Sequence, residues 1–93
     1  MKIDYNKLNT GLNTLKGTDY NECEKKARAL GDISPDLNYS KTFQAVIASK
    51  VLEVGYDEIV ALPIKEFVNI TSIVNNFLLE DLIPFLQGKL LEK

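Results

Sequence analysis

The amino-acid sequence predicts an all-α fold: a small single-domain bundle of about four helices behind a short N-terminal arm. Three observations carry this expectation. Apolar residues recur at helical spacing over residues 43–54 and again over residues 64–78. Glycines and prolines punctuate the chain at Gly31, Pro35, Gly55 and Pro63, where they can close or open helices. The 93 residues, 45% apolar and 26% charged, suit one domain with a real core and stand well away from disordered composition.

Residues 1–17 are polar and carry Gly11 and Gly17. Their apolar residues Ile3, Tyr5, Leu8, Leu12 and Leu15 do not separate a short strand from a loose helix, so this segment is read as the arm and residues 18–93 as the helical domain. Thr18 can cap a helix from about Asp19 to Leu30, with Gly31 in the left-handed C-terminal position. Tyr20, Cys23, Ala27 and Leu30 form its buried face, and Glu22 with Lys26 and Glu24 with Arg28 its outer i,i+4 pairs. Ser34-Pro35-Asp36 marks a loop. Ser40 starts a second helix that runs to about Glu53 or Val54, where Gly55 supplies the stop. Residues 57–62 fit one or two turns before Pro63 opens a long helix with Phe67, Ile70, Val74 and Phe77 in a 3-4-3 stripe. That long helix is expected to be the central one, with Phe67 and Phe77 in the core. Asp81 can cap a last helix that holds Pro84 in its first turn.

Chemistry is sparse. The chain has no histidine, which removes the commonest general base and metal ligand and any Ser-His or Cys-His nucleophile pair. Its one cysteine, Cys23, falls on an apolar face and reads as core, and it cannot form an internal disulfide. The acidic pairs Asp57-Glu58 and Glu80-Asp81 fall where helices begin and read as helix-terminus charges rather than a cation site. The five glycines are isolated, so no phosphate-cradling loop is present. No catalytic residue, cofactor or metal is expected. With a net charge of -2 and one balanced basic cluster at Lys25, Lys26 and Arg28, nucleic acid is not an expected partner. No apolar stretch approaches the roughly 20 residues of a membrane span. Met1 to Asn6 lacks the apolar run of a secretory signal, and the cytoplasm is the expected compartment.

Three pieces, in order, carry a resemblance. They are Leu15-Lys16-Gly17-Thr18-Asp19-Tyr20 leading to the segment Glu24 to Asp32, then Phe43-Gln44-Ala45-Val46-Ile47-Ala48-Ser49-Lys50, then Leu62-Pro63-Ile64-Lys65-Glu66-Phe67 with Asn76-Phe77-Leu78-Leu79. Together, over roughly residues 15 to 80, they are similar to the tail assembly chaperones of long-tailed bacteriophages and prophages. That resemblance implies a small helical, non-virion protein that coats the tape measure protein before the tail tube polymerises around it. In many members a longer frameshifted form recruits tube subunits, so the tail tube protein and self-association are further partner candidates. The departures are at the ends: the N-terminal segment is short, and the tail after Leu79 is longer and more apolar than the family pattern.

The partner surface is expected at Leu79, Leu82, Phe85 and Leu86, because the C-terminal segment is more apolar than one face of a terminal helix requires. A last helix that merely completes the bundle or a homo-oligomer contact is the plainer reading of those residues. A small helical DNA-binding regulator or antitoxin-like module is the competing functional class.

Overall fold

The computed structural model describes residues 2–80. Among these residues there are five α-helices and no strand. The helices are α1 (Tyr5–Leu12), α2 (Gly17–Ala29), α3 (Lys41–Leu52), α4 (Tyr56–Val60) and α5 (Ile64–Glu80), with a 3-10 turn at Leu37–Tyr39 before α3. The fold is all-α, as the periodicity predicts.

α3 is the hub, and α1, α2, α4 and α5 each pack against it. Its sequence explains why: Phe43 to Ser49 are seven consecutive buried residues, followed by buried Val51 and Leu52. A helix apolar all round must be enclosed on every side. The expectation that α5 is central is therefore corrected, since α5 has one covered face and exposes Ile64 and Val68 on another. Two polar residues inside α3 are bonded where they sit. Ser49 Oγ donates to Val46 O (2.7 Å), and Gln44 Nε2 donates to Asn38 O (2.8 Å) and Asn75 Oδ1 (3.1 Å). These bonds fasten the 3-10 turn and α5 to the hub, and burying an amide without partners would cost on the order of 1–3 kcal/mol.

The N-terminal arm is also corrected: residues 5–12 are a helix whose Leu8 and Leu12 lie in the core. Asp4 caps it by accepting from Lys7 N (3.0 Å), and Leu8 and Leu12, one turn apart, face α3. Gly11 is what allows the close approach, because a Cβ there would overlap Val51 Cγ1 of α3. Lys7 Nζ reaches the end of α3, donating to Leu52 O (3.4 Å) and Glu53 Oε2 (3.0 Å), so a cation sits at that helix's negative pole. Residues 2–80 thus share one core, and the boundary between an arm and a domain at residue 17 disappears.

Cap details shift by a residue or two. α2 opens at Gly17, with Asp19 Oδ2 accepting from Lys16 N (2.9 Å) in place of a Thr18 cap. Gly31 does take the left-handed position (φ 102°), and Asp32 N donates to Ala27 O (3.1 Å) across the closed turn. Leu30 falls outside the buried face of α2 and is 48% exposed. Ser40 caps α3, its hydroxyl accepting from Phe43 N (3.2 Å). At the far end of α3 the left-handed residue is Glu53 (φ 59°), while Gly55 opens α4 and its N–H donates to Glu58 Oε2 (2.7 Å).

The loop between α2 and α3 is tied by Asp32, which accepts from Ser34 N (2.8 Å) and from the Ser40 hydroxyl. Hydrogen bonding from Ser34 first, and from Ser40 second, holds the Asp32 carboxyl down to about 2. A carboxyl depressed on folding adds stability that is complete above its ordinary value near 3.8 and is lost as pH falls through about 2. Asp32→Asn is expected to lower the urea midpoint at pH 6, and the gap from wild type to close between about pH 4 and pH 2. A gap constant with pH would show that the carboxylate charge plays no part.

Candidate functional site

The last two turns of α5 are where the packing is incomplete. Ile73 and Phe77 follow Ile70 and Val74 along the helix, but only Ile70 and Val74 are fully buried; Ile73, Phe77, Leu78 and Leu79 are half-covered. A cleft opens on either side of this segment. The larger, about 480 Å³, lies between α1 and α5 on a floor of Leu12, Ile73, Phe77 and Leu79. Its rim carries the amides of Asn9, Asn13 and Asn76, and among the described residues no charged one lines it. The smaller, about 320 Å³, lies between α5 and the α1–α2 turn, where Leu15, Tyr20, Cys23, Ile47 and Leu78 meet the other side of Phe77. Phe77 is thus the ridge between two apolar hollows.

The spacing of the sequence dictates this geometry. Asn9 and Asn13 are one helical turn apart on α1, beside the buried Leu8–Leu12 row, so α1 offers an apolar wall with an amide edge. Asn13 Nδ2 donates to Asn9 O (3.0 Å), which holds that edge in place. On the other side, Tyr20 is fixed by edge-on packing against Phe43 (centroids 5.0 Å, 70°) and by donating its hydroxyl to Asn38 Oδ1 (2.9 Å). Burial raises the Tyr20 phenol above its ordinary range. The smaller cleft is also lined by Lys16 and Asp19. The bond from Lys16 N keeps Asp19 ionised and low, and Lys50 Nζ stands 3.5 Å from Asp19 and 3.0 Å from Glu22.

Among the described residues the titratable side chains that line these hollows are Lys16, Asp19, Tyr20 and Cys23, all on the smaller one. Cys23 is 3% exposed, and burial pushes its thiol up, away from the thiolate that reacts. Asp57 and Glu58 stand in the first turn of α4 as helix-terminus charges. Arg28 is occupied with the carbonyls of Asp32 (3.1 Å) and Ser34 (2.8 Å). Among the described residues no three His, Cys, Asp or Glu side chains come together as a metal site. No helix of the described residues is long and apolar enough to cross a membrane.

Of the residues expected to form the partner surface, Leu79 lies on the larger cleft. Leu82, Phe85 and Leu86 lie outside the described residues. Sequence reasoning missed the contribution of α1, although Tyr5, Leu8, Leu12 and Leu15 carry the same 3-4-3 spacing that marks α5. It also placed Phe67 and Phe77 in the core, and both are half-buried at its edge. No protein-family model, no curated protein and no solved structure matches the chain.

Proposed function

We propose that the protein is a binding chaperone of phage tail assembly, which covers apolar helical stripes of the tape measure protein and keeps it soluble until the tail tube polymerises. The observation that carries the reading is the pair of apolar hollows flanking Phe77 at the end of α5, a surface shaped to receive side chains from another helix. The reading that this helix belongs to the tape measure protein rests on the resemblance of the three sequence pieces to tail assembly chaperones. The partner surface comprises Leu79 with Leu82, Phe85 and Leu86, and it works by reversible burial of apolar area without making or breaking a bond. Each contact is weak, and many copies along one long target give the cover its strength. The protein would act in the cytoplasm of the bacterial host, with the tail tube protein as a second client.

The test is co-expression with the product of a neighbouring long open reading frame, the expected tape measure protein. Wild type should recover soluble tape measure in a pull-down, and Leu82→Asp with Phe85→Asp should reduce recovery roughly tenfold or more, the factor that 1.4 kcal/mol represents. Circular dichroism of the variant should keep the helical signal of wild type. Unchanged recovery removes the C-terminal segment from the site, and no recovery by wild type removes the chaperone reading itself.

A further inference from the structure

The larger cleft and the chain that follows it are matched in length and in chemistry. The cleft reaches Leu79, one residue before α5 closes at Glu80, and its Ile73, Phe77 and Leu79 are each only half-covered. Beyond Glu80 the sequence gives Leu82-Ile83-Pro84-Phe85-Leu86-Gln87, a stretch without a charge, and among the described residues no charged one lines this cleft. The smaller cleft is a poorer match, since Lys16 and Asp19 line it. Pro84 has no N–H to donate to Glu80 O and disfavours helical backbone at Ile83, so a change of direction just past α5 is written into the sequence. From Leu79 to Phe85 the chain can reach about 20 Å, while the cleft floor from Leu79 back to Ile73 covers about 9 Å of helix. Phe85 and Leu86 can therefore double back over the whole floor.

We propose that residues 82–87 of the same chain fill the larger cleft while no partner is bound, with Phe85 and Leu86 set against Leu12, Ile73 and Phe77 and the Gln87 amide at the asparagine rim. Tethering favours this occupant over a second copy, because a segment joined by a few residues is held near the cleft at roughly millimolar effective concentration, however dilute the protein. The rim suits it as well. Each asparagine amide of Asn9, Asn13 and Asn76 both donates and accepts, so it can pair with a glutamine amide or with peptide groups and asks for no charge. Docking takes out of water both the apolar side chains beyond Glu80 and the half-covered floor beneath them. The docking stands without the chaperone reading. One consequence rests on that reading: a client helix displaces the segment from the cleft and is then gripped between the cleft floor and Leu82, Phe85 and Leu86.

Disulfide trapping in the full chain tests this, with Cys23→Ala to remove the native thiol. Asn13→Cys with Gln87→Cys puts one thiol on the cleft rim and one on the segment. Lys25→Cys with Gln87→Cys is the comparison, since Lys25 is exposed on α2 and lines neither cleft. Under mild oxidation the first pair should close within one molecule roughly tenfold or more faster than the second, and adding Phe85→Asp with Leu86→Asp should bring it down to the second's rate. In the chain that keeps Cys23, Phe85→Asp with Leu86→Asp should shift the amide resonances of Leu12, Ile73 and Phe77 and leave that of Ile59 in place, with the helical circular dichroism unchanged. Equal closing rates for the two pairs, a first pair that links between molecules, or unmoved resonances along the cleft would each overturn the proposal. Co-expression with the product of the neighbouring long open reading frame separates the two readings. Capture of that product without preferential trapping overturns the docking alone; trapping without capture supports the docking and counts against the chaperone reading alone.

Discussion

Truncation of Phe43 to alanine is expected to cost about 3 to 5 kcal/mol of folding stability, the range for large aromatic side chains removed from closed cores. Phe43 is fully buried at the start of α3, beneath the edge of Tyr20, and lines neither of the two clefts itself. Two losses combine there: the buried area of the ring and the edge-to-face contact, the latter worth roughly 0.5–1.5 kcal/mol alone. In a chain of this length each kcal/mol lowers Tm by roughly 4–8 °C, so the variant should melt at least about 12 °C below wild type. A loss under about 1 kcal/mol in urea titration would falsify the placement of α3 at the centre. The same truncation at Phe67 should cost less, because Phe67 is half-buried at the margin of the core.

Leu8→Ala is expected to cost about 2 to 5 kcal/mol, an effect that a loosely attached arm could not produce. Leu8 has no exposed surface, and Leu12 beside it has 1%. Leu12 also lines the larger cleft, so the α1 packing that Leu8 supports shapes one side of it. Removing the leucine leaves a void against α3, where Gly11 and Val51 already bring the two helices as close as their backbones allow. Urea melts of Leu8→Ala beside Asn9→Ala, an exposed neighbour, give the comparison: a large loss for the first and little change for the second. Equal and small losses in both would return residues 1–17 to the status of an arm.

Much of the architecture was legible because punctuation and period agreed. Ser40 as a cap, Gly31 in the left-handed turn and Pro63 ahead of α5 each coincide with a change in apolar spacing, and each is where the structure turns. α3 was recognisable as a buried helix, yet its rank as the hub was hidden by Gln44, Ser49 and Lys50. Gln44 and Ser49 are enclosed because they are bonded internally, and Lys50 stretches out to Asp19 and Glu22. α1 was obscured by its own composition. A glycine inside a short helix, among asparagines and threonine, lowers intrinsic helical preference, and tertiary contact with α3 overrides it. The clefts could not be foreseen at all, because they arise where α1 and α2 diverge from the end of α5, a matter of helix placement and not of any single residue. Leu79, half-covered at the end of α5, is the one member of the expected partner surface that lies among the described residues.

Enclosure of Cys23 between α2 and α3 gives the protein a chemical clock. As the sole sulfhydryl of the chain, only 3% exposed on the wall of the smaller cleft, it is alkylated fastest in molecules where the seam around it has opened. The speed of modification by a small maleimide or disulfide reagent therefore counts transient separations of that seam directly, with no foreign probe attached.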